Sequence, residues 1–196
     1  MLGTEEEIIR TLYSCATRRA ARPDLSGSGR TYSVIVQISP VVVESYFEFS
    51  PAIVWDALTD ADLVSGWLAV ARIDPQLDGE FQLAWAYPSG NRALAGRLAV
   101  FEPHRQLEVA DATGTLIAFE LSELAVGLRG TSTRVRVSAR AAGVARGSVG
   151  LRADWLTALD QLDELLRGHP VDWSNWNTEH LEIWTRHLRD VQNTIA

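Results

Sequence analysis

Thr131-Ser132-Thr133-Arg134-Val135-Arg136-Val137-Ser138-Ala139-Arg140 alternates without a break. Thr131, Thr133, Val135, Val137 and Ala139 fall on one side of an extended chain. Ser132, Arg134, Arg136, Ser138 and Arg140 fall on the other. Successive side chains of a strand point to opposite faces, so this run reads as a strand with one wet and one covered face. A different period follows. Leu151, Trp155, Ala158, Leu159, Leu162, Leu165 and Leu166 recur at helical spacing, with Arg152, Asp154, Asp160, Asp163 and Glu164 mainly elsewhere. Gly168 ends this helix and Pro170 prevents its continuation. A half-covered antiparallel strand leading into a broad-faced helix predicts an α+β domain, a sheet with a helix laid across it.

Working back from that strand, the chain reads as a long antiparallel meander. Turn chemistry stands at Asp78-Gly79, Pro88-Ser89-Gly90-Asn91, Pro103-His104-Arg105, Ala112-Thr113-Gly114 and Gly127–Gly130. Between the turns lie strands at 69–73, 81–87, 92–102, 106–110 and 115–124. Val41–Phe49 is the first strand. Ser50 then caps a helix with Pro51 at its first position, where the missing N–H costs nothing. Thr59-Asp60-Ala61-Asp62 opens a second short helix that holds Leu63, Val64, Trp67 and Leu68.

Two extensions flank this core, dividing the chain into 1–40, 41–168 and 169–196. In the first, Thr4-Glu5-Glu6-Glu7 is a capping box and Ile8, Ile9, Leu12, Cys15 and Ala16 follow at helical spacing, before linker-like Arg22–Gly29. The last zone carries Trp173 and Trp176 and one amphipathic helix sharing Leu181, Trp184, Leu188, Val191 and Ile195 on a face. Anchoring the extension to the domain is the first reading of Trp173, Trp176 and Trp184; a homodimer contact is the second.

Composition narrows the function classes. With 196 residues the chain suits one well-buried domain with extensions. The net charge of −7 repels phosphate backbones and anionic headgroups, which argues against nucleic-acid or membrane-surface partners. No apolar run approaches the roughly 20 residues of a membrane span. The acidic start lacks the order of a signal peptide, and the single cysteine, Cys15, makes no internal disulfide, so a cytoplasmic location is expected. All side-chain cations except histidine are arginines, which reads as codon bias rather than a phosphate-binding device.

Several signatures occur in a set order: Ser50–Asp60, Gly66-Trp67-Leu68, Asp78-Gly79-Glu80-Phe81, Gly96–Leu107, Gly130–Val135 and Trp155–Leu162. Together they resemble the bacterial relatives of the activator of heat-shock protein 90 ATPase, within the START / Bet v 1-like (SRPBCC) superfamily. The resemblance covers roughly residues 42–168. It implies a helix-grip fold, a curved antiparallel sheet wrapped around a long C-terminal helix with an apolar cavity between. It also implies binding of lipids, sterols, polyketides or other apolar molecules. Cyclase or dehydratase activity, and co-chaperone contact, are what the resemblance implies second and third.

The candidate lining follows from the strand parity. Phe81, Leu83, Trp85 and Tyr87 share a face, since Glu80 and Gln82 take the other. Phe119, Leu121, Thr133, Val135, Trp155 and Leu159 are further candidates, and Trp67 is placed to close one end. Each reads first as plain core and second as cavity lining, because apolar periodicity reports burial and not emptiness. Arg97 is a candidate for an acidic headgroup by a bidentate pair if the register past Gly96 turns it inward; outward snorkelling is the more frequent outcome for such an arginine.

No catalytic constellation is visible. Cys15 has no base beside it, Gly-x-Ser-x-Gly is absent, and Glu44, Glu48 and Glu120 are not forced inward. His180 and His187 are seven apart on one presumed helix, without the spacing of a zinc site, and His104 reads as a solvated turn residue. No cofactor or metal is expected.

Overall fold

The computed structural model describes residues 40–87, 90–125, 131–140 and 149–195. The expected N-terminal helix, Cys15 and the Gly127–Gly130 turn lie outside the described residues. The elements are β1 (Val41–Phe47), α1 (Pro51–Thr59), α2 (Ala61–Ser65), β2 (Val70–Ile73), β3 (Glu80–Tyr87), β4 (Gly90–Glu102), β5 (Gln106–Ala110), β6 (Leu116–Leu124), β7 (Ser132–Arg140), α3 (Val149–Leu166), α4 (Trp176–Glu179) and α5 (Leu181–Ile195). The strands form one antiparallel seven-stranded sheet in the order β1-β7-β6-β5-β4-β3-β2. The sheet curls as a half-barrel around α3, which is the helix-grip architecture.

Local chemistry sets the helix ends. α1 begins at Pro51, and the Ser50 hydroxyl makes no capping bond, so Ser50 contributes only its carbonyl, to the Val54 N–H at 3.2 Å. Asp60 serves two helices. Its N–H donates to the Asp56 carbonyl that closes α1, and its carboxylate accepts from the N–H groups of Asp62 and Leu63 that open α2. At the end of α3, Gly168 takes φ +93°, with Gly168 N–H to Leu165 carbonyl and His169 N–H to Glu164 carbonyl. That is a Schellman closure, which a side chain at 168 would strain.

The sheet faces divide by parity. Val41, Val43, Phe47, Phe81, Leu83, Leu94, Leu98, Leu107, Val109, Ile117, Phe119, Leu121, Val135, Val137 and Ala139 are buried on the concave side, in one core with the α3 side chains Leu151, Trp155, Ala158, Leu159 and Leu162. The edge strand β1 is partly guarded, since Arg152 of α3 donates to its Val42 carbonyl at 3.1 Å.

α3 has a second buried face. Asp154, which the helical pattern sets off the apolar stripe, and Thr157 and Gln161 beside it are at most 2% exposed. α5 causes this: it packs along α3 with Val191 buried and Ile183, Trp184, His187 and Leu188 half-buried. Leu181 departs from the expected face and is 37% exposed.

β4 is the longest strand and is shared unequally. It pairs with β3 over Gly90–Arg97 and with β5 over Arg97–Glu102, with a register shift between Leu98 and Val100. The β3–β4 arm therefore runs on past the end of β5. At the junction a Cβ on Gly96 would lie 2.5 Å from the Ala110 carbonyl oxygen and 2.9 Å from its carbon. Only glycine lets the two backbones approach so closely. Gly96→Ala should therefore lower unfolding free energy by about 1–3 kcal/mol, the usual cost of overpacking, in urea denaturation. Strand propensity alone would give the opposite sign.

Candidate ligand-binding site

The concave face is ordered by cross-strand rows. One row runs Val43, Val137, Phe119, Leu107 and Phe101 across β1, β7, β6, β5 and β4. The next runs Val41, Ala139, Ile117, Val109 and Leu98. Beyond these β2, β3 and β4 continue as Ile73–Phe81–Gly96 and Ala71–Leu83–Leu94, and then β3 and β4 as Trp85–Arg92 and Tyr87–Gly90.

An aromatic chain crosses the core beneath α3. Trp67 meets Phe119 edge-on with ring centroids 6.5 Å apart, and Phe119 meets Trp155 in the same way at 5.7 Å. Trp67 stands in the turn after α2 and not on the helix; it is fully buried, and its indole N–H donates to the Ala57 carbonyl at 2.8 Å. Trp55 packs edge-on against Phe101 and against exposed His104.

The structure brings Trp67, Phe81, Leu83, Phe119, Leu121, Thr133, Val135, Trp155 and Leu159 together, all buried, between sheet and α3. The Thr133 hydroxyl is already used, donating to the Phe49 carbonyl at 2.7 Å. Trp85 and Tyr87 occupy the expected strand positions in β3, and their side chains lie outside the described residues. Arg97 requires a correction. It is exposed, its guanidinium donates to the Asp78 carbonyl at 2.6 Å, and it borders a convex-side groove of about 370 Å³ where β5 stops. The inward residues of β4 are Leu94 and Leu98, an odd number of positions away, so parity puts Arg97 outside.

Sequence reasoning missed two buried polar residues. Asp154 accepts a 2.8 Å bond from the Trp184 indole. Gln161, with its amide turned to suit its neighbours, donates to the Trp67 carbonyl at 2.9 Å and accepts from the Trp176 indole at 2.6 Å. The signal available was the surplus of tryptophans in the last zone, whose N–H groups need acceptors. Trp173 also turns inward, donating to the Ser65 carbonyl at 2.6 Å.

Electrostatics stay at the periphery. The Ser174 hydroxyl and N–H hold the Asp172 carboxyl below its ordinary range, and hydrogen bonding to Asp163 raises Arg167; both groups are exposed. His187 Nε2 lies 2.7 Å from Asp160 Oδ2, while His180 ends α4, so the two histidines do not share a helix. Among the described residues no three His, Cys, Asp or Glu side chains could hold a metal ion, and no helix is long and apolar enough to cross a membrane.

Comparison with known proteins agrees with this geometry. Residues 48–167 match the family model described as Activator of Hsp90 ATPase homolog 1-like protein. No curated protein matches the chain. Among solved structures, CalU16 from Micromonospora echinospora is similar at 19% identity and a TM-score of 0.54, over 79% of this chain and 86% of its own. An AHSA1-like protein from Aeromonas hydrophila matches at 19% identity and 0.51, over 66% and 92%. A conserved protein of unknown function from Enterococcus faecalis matches at 17% and 0.54, over 97% and 98%. At such identities the likeness is one of fold.

The bridging role of Gln161 has a measurable consequence. Gln161→Leu keeps volume and helix propensity but strands the Trp67 carbonyl and Trp176 N–H in the interior. Unfolding in urea should show a loss of about 2–6 kcal/mol, at roughly 1–3 for each of the two buried groups left unpaired. A loss below about 0.5 kcal/mol would mean the bridge is not made.

Proposed function

Because the chain belongs to the Activator of Hsp90 ATPase homolog 1-like family, we propose that it binds a small hydrophobic or aromatic molecule between the sheet and α3. The fold commonly holds hydrophobic ligands. The class we assign is lipid-, sterol- or polyketide-like. The observation that carries the reading is the overhang of the β3–β4 arm. Its rows continue the apolar concave face past Ala110, where β5 no longer supplies a neighbour.

A sheet that loses a strand partway along cannot be covered evenly by one straight helix. The covered end is filled by Trp67, Phe119 and Trp155, and Leu83 and Leu94, where the arm begins, are buried as well. Leu83, Leu94, Leu151 and Trp155, all buried, form the inner wall in this reading. Binding would be driven by removal of apolar surface from water, without chemistry on the ligand.

Thermal unfolding of the full chain with 1-dodecanol, a sterol and a naphthalene-type aromatic tests this. A binder present at about a hundredfold its Kd adds about 2.7 kcal/mol, which should raise Tm by roughly 5–10 °C. A flat response across all three chemistries would remove the ligand-carrier reading.

A further inference from the structure

The buried members of the candidate lining, from Trp67 to Leu159, are each at most 7% exposed. A ligand therefore reaches them only if an element moves. The strands are each held by a ladder of backbone bonds. α3 meets the sheet with Leu151, Trp155, Ala158, Leu159 and Leu162, whose packing has no preferred direction. Its bond to the sheet edge, from Arg152 to the Val42 carbonyl, is part-buried, and water can replace it.

The directional contacts of α3 lie on its outer side, in two groups. Gln161 is tied to Trp67 and Trp176. Asp154 and Asp160 are met by α5, through Trp184 at 2.8 Å and His187 at 2.7 Å. α5 is the shallower partner: among its described side chains Val191 alone is buried, against nine on α3. Elements with few buried contacts open first. Its opening leaves α3 well served, because Thr157 bonds the Ala153 carbonyl of its own helix and water can reach both carboxylates. The root stays in place, since Trp173 and Trp176 hold α4, and His180 alone separates α4 from α5. α5 also lies beyond residue 167, where the family match ends.

We propose that α5 is a latch on the concave site. It swings from α3 about His180 and releases Asp154 and Asp160. The half of α3 that carries Leu151 and Trp155 then lifts from the sheet to admit the ligand, with Gln161 as the pivot. This rests on the binding reading above and adds control of entry to it. A latch that closes again over the ligand sets rates and leaves affinity alone, because the free and bound closed states keep the same two contacts.

Two measurements on the full chain at neutral pH test the latch: amide hydrogen exchange, and stopped-flow binding of N-phenyl-1-naphthylamine, an uncharged aromatic that brightens in apolar surroundings. In the unaltered chain, residues 181–195 should exchange about tenfold faster or more than 151–162. Trp184→Phe keeps an aromatic ring but removes the indole donor, and should speed both exchange of α5 and ligand association about tenfold. Asp160→Ala, at a half-exposed position that tolerates alanine, should speed both roughly two- to fivefold. It keeps the test decisive if Trp184→Phe fails to fold. Dissociation should quicken by the same factors, so Kd stays within about twofold, and exchange of β5–β7 should not change. Exchange of α5 no faster than that of α3 would overturn the latch. So would faster exchange of α5 with unchanged association, and either result leaves the binding reading standing. Absence of binding by the unaltered chain would overturn that reading, and control of entry with it.

Discussion

The amide of Gln161 fixes where the long helix lies, and the concave side takes its shape from that helix. Apolar packing is non-directional, so the leucines and Trp155 of α3 settle its depth on the sheet without choosing among neighbouring positions along its axis. Gln161 makes that choice. Its donor and acceptor must both be met in a place with no water to substitute, the Trp67 carbonyl on one side and the Trp176 indole on the other. A shift of α3 by one turn would strand all of these groups.

The same network explains why the last zone cannot be separated from the domain, although the family match ends at 167. The Ser65, Gly66 and Trp67 carbonyls follow one another where α2 runs out, where a helix leaves acceptors unpaired. Trp173 fills the first, the Val171 N–H the second and Gln161 the third. Further along, Asp154 and Asp160 on the outer side of α3 meet Trp184 and His187 of α5. α3 is thus held from both sides, by oil toward the sheet and by hydrogen bonds toward α5. The three tryptophans of the extension all hydrogen-bond within the chain.

Strands, order and helix-grip architecture were legible because period-2 and period-3.6 patterns are local, and because Asp60, Pro51 and Gly168 mark their helix ends chemically. The covering of α3 was not legible. Asp154 lies off the apolar stripe in any helical projection, and only the placement of α5 buries it; Gln161 is enclosed by Trp67 and Trp176. Register was half legible. Phe81, Leu83, Phe119 and Val135 declared their face through polar neighbours. β4 did not, because Ala93, Ala95, Gly96 and Ala99 carry almost no polarity contrast. The choice of Arg97 as an inward candidate failed at that point. Leu94 and Leu98 held the needed information, two even positions around Gly96.

Position along β4 also decides what a cation can do. Deep in the core an unpaired guanidinium would lose its hydration without compensation, a cost far above any binding selectivity it could return. On the convex face it meets water and the nearest carbonyl, as Arg97 does with Asp78, and reads nothing.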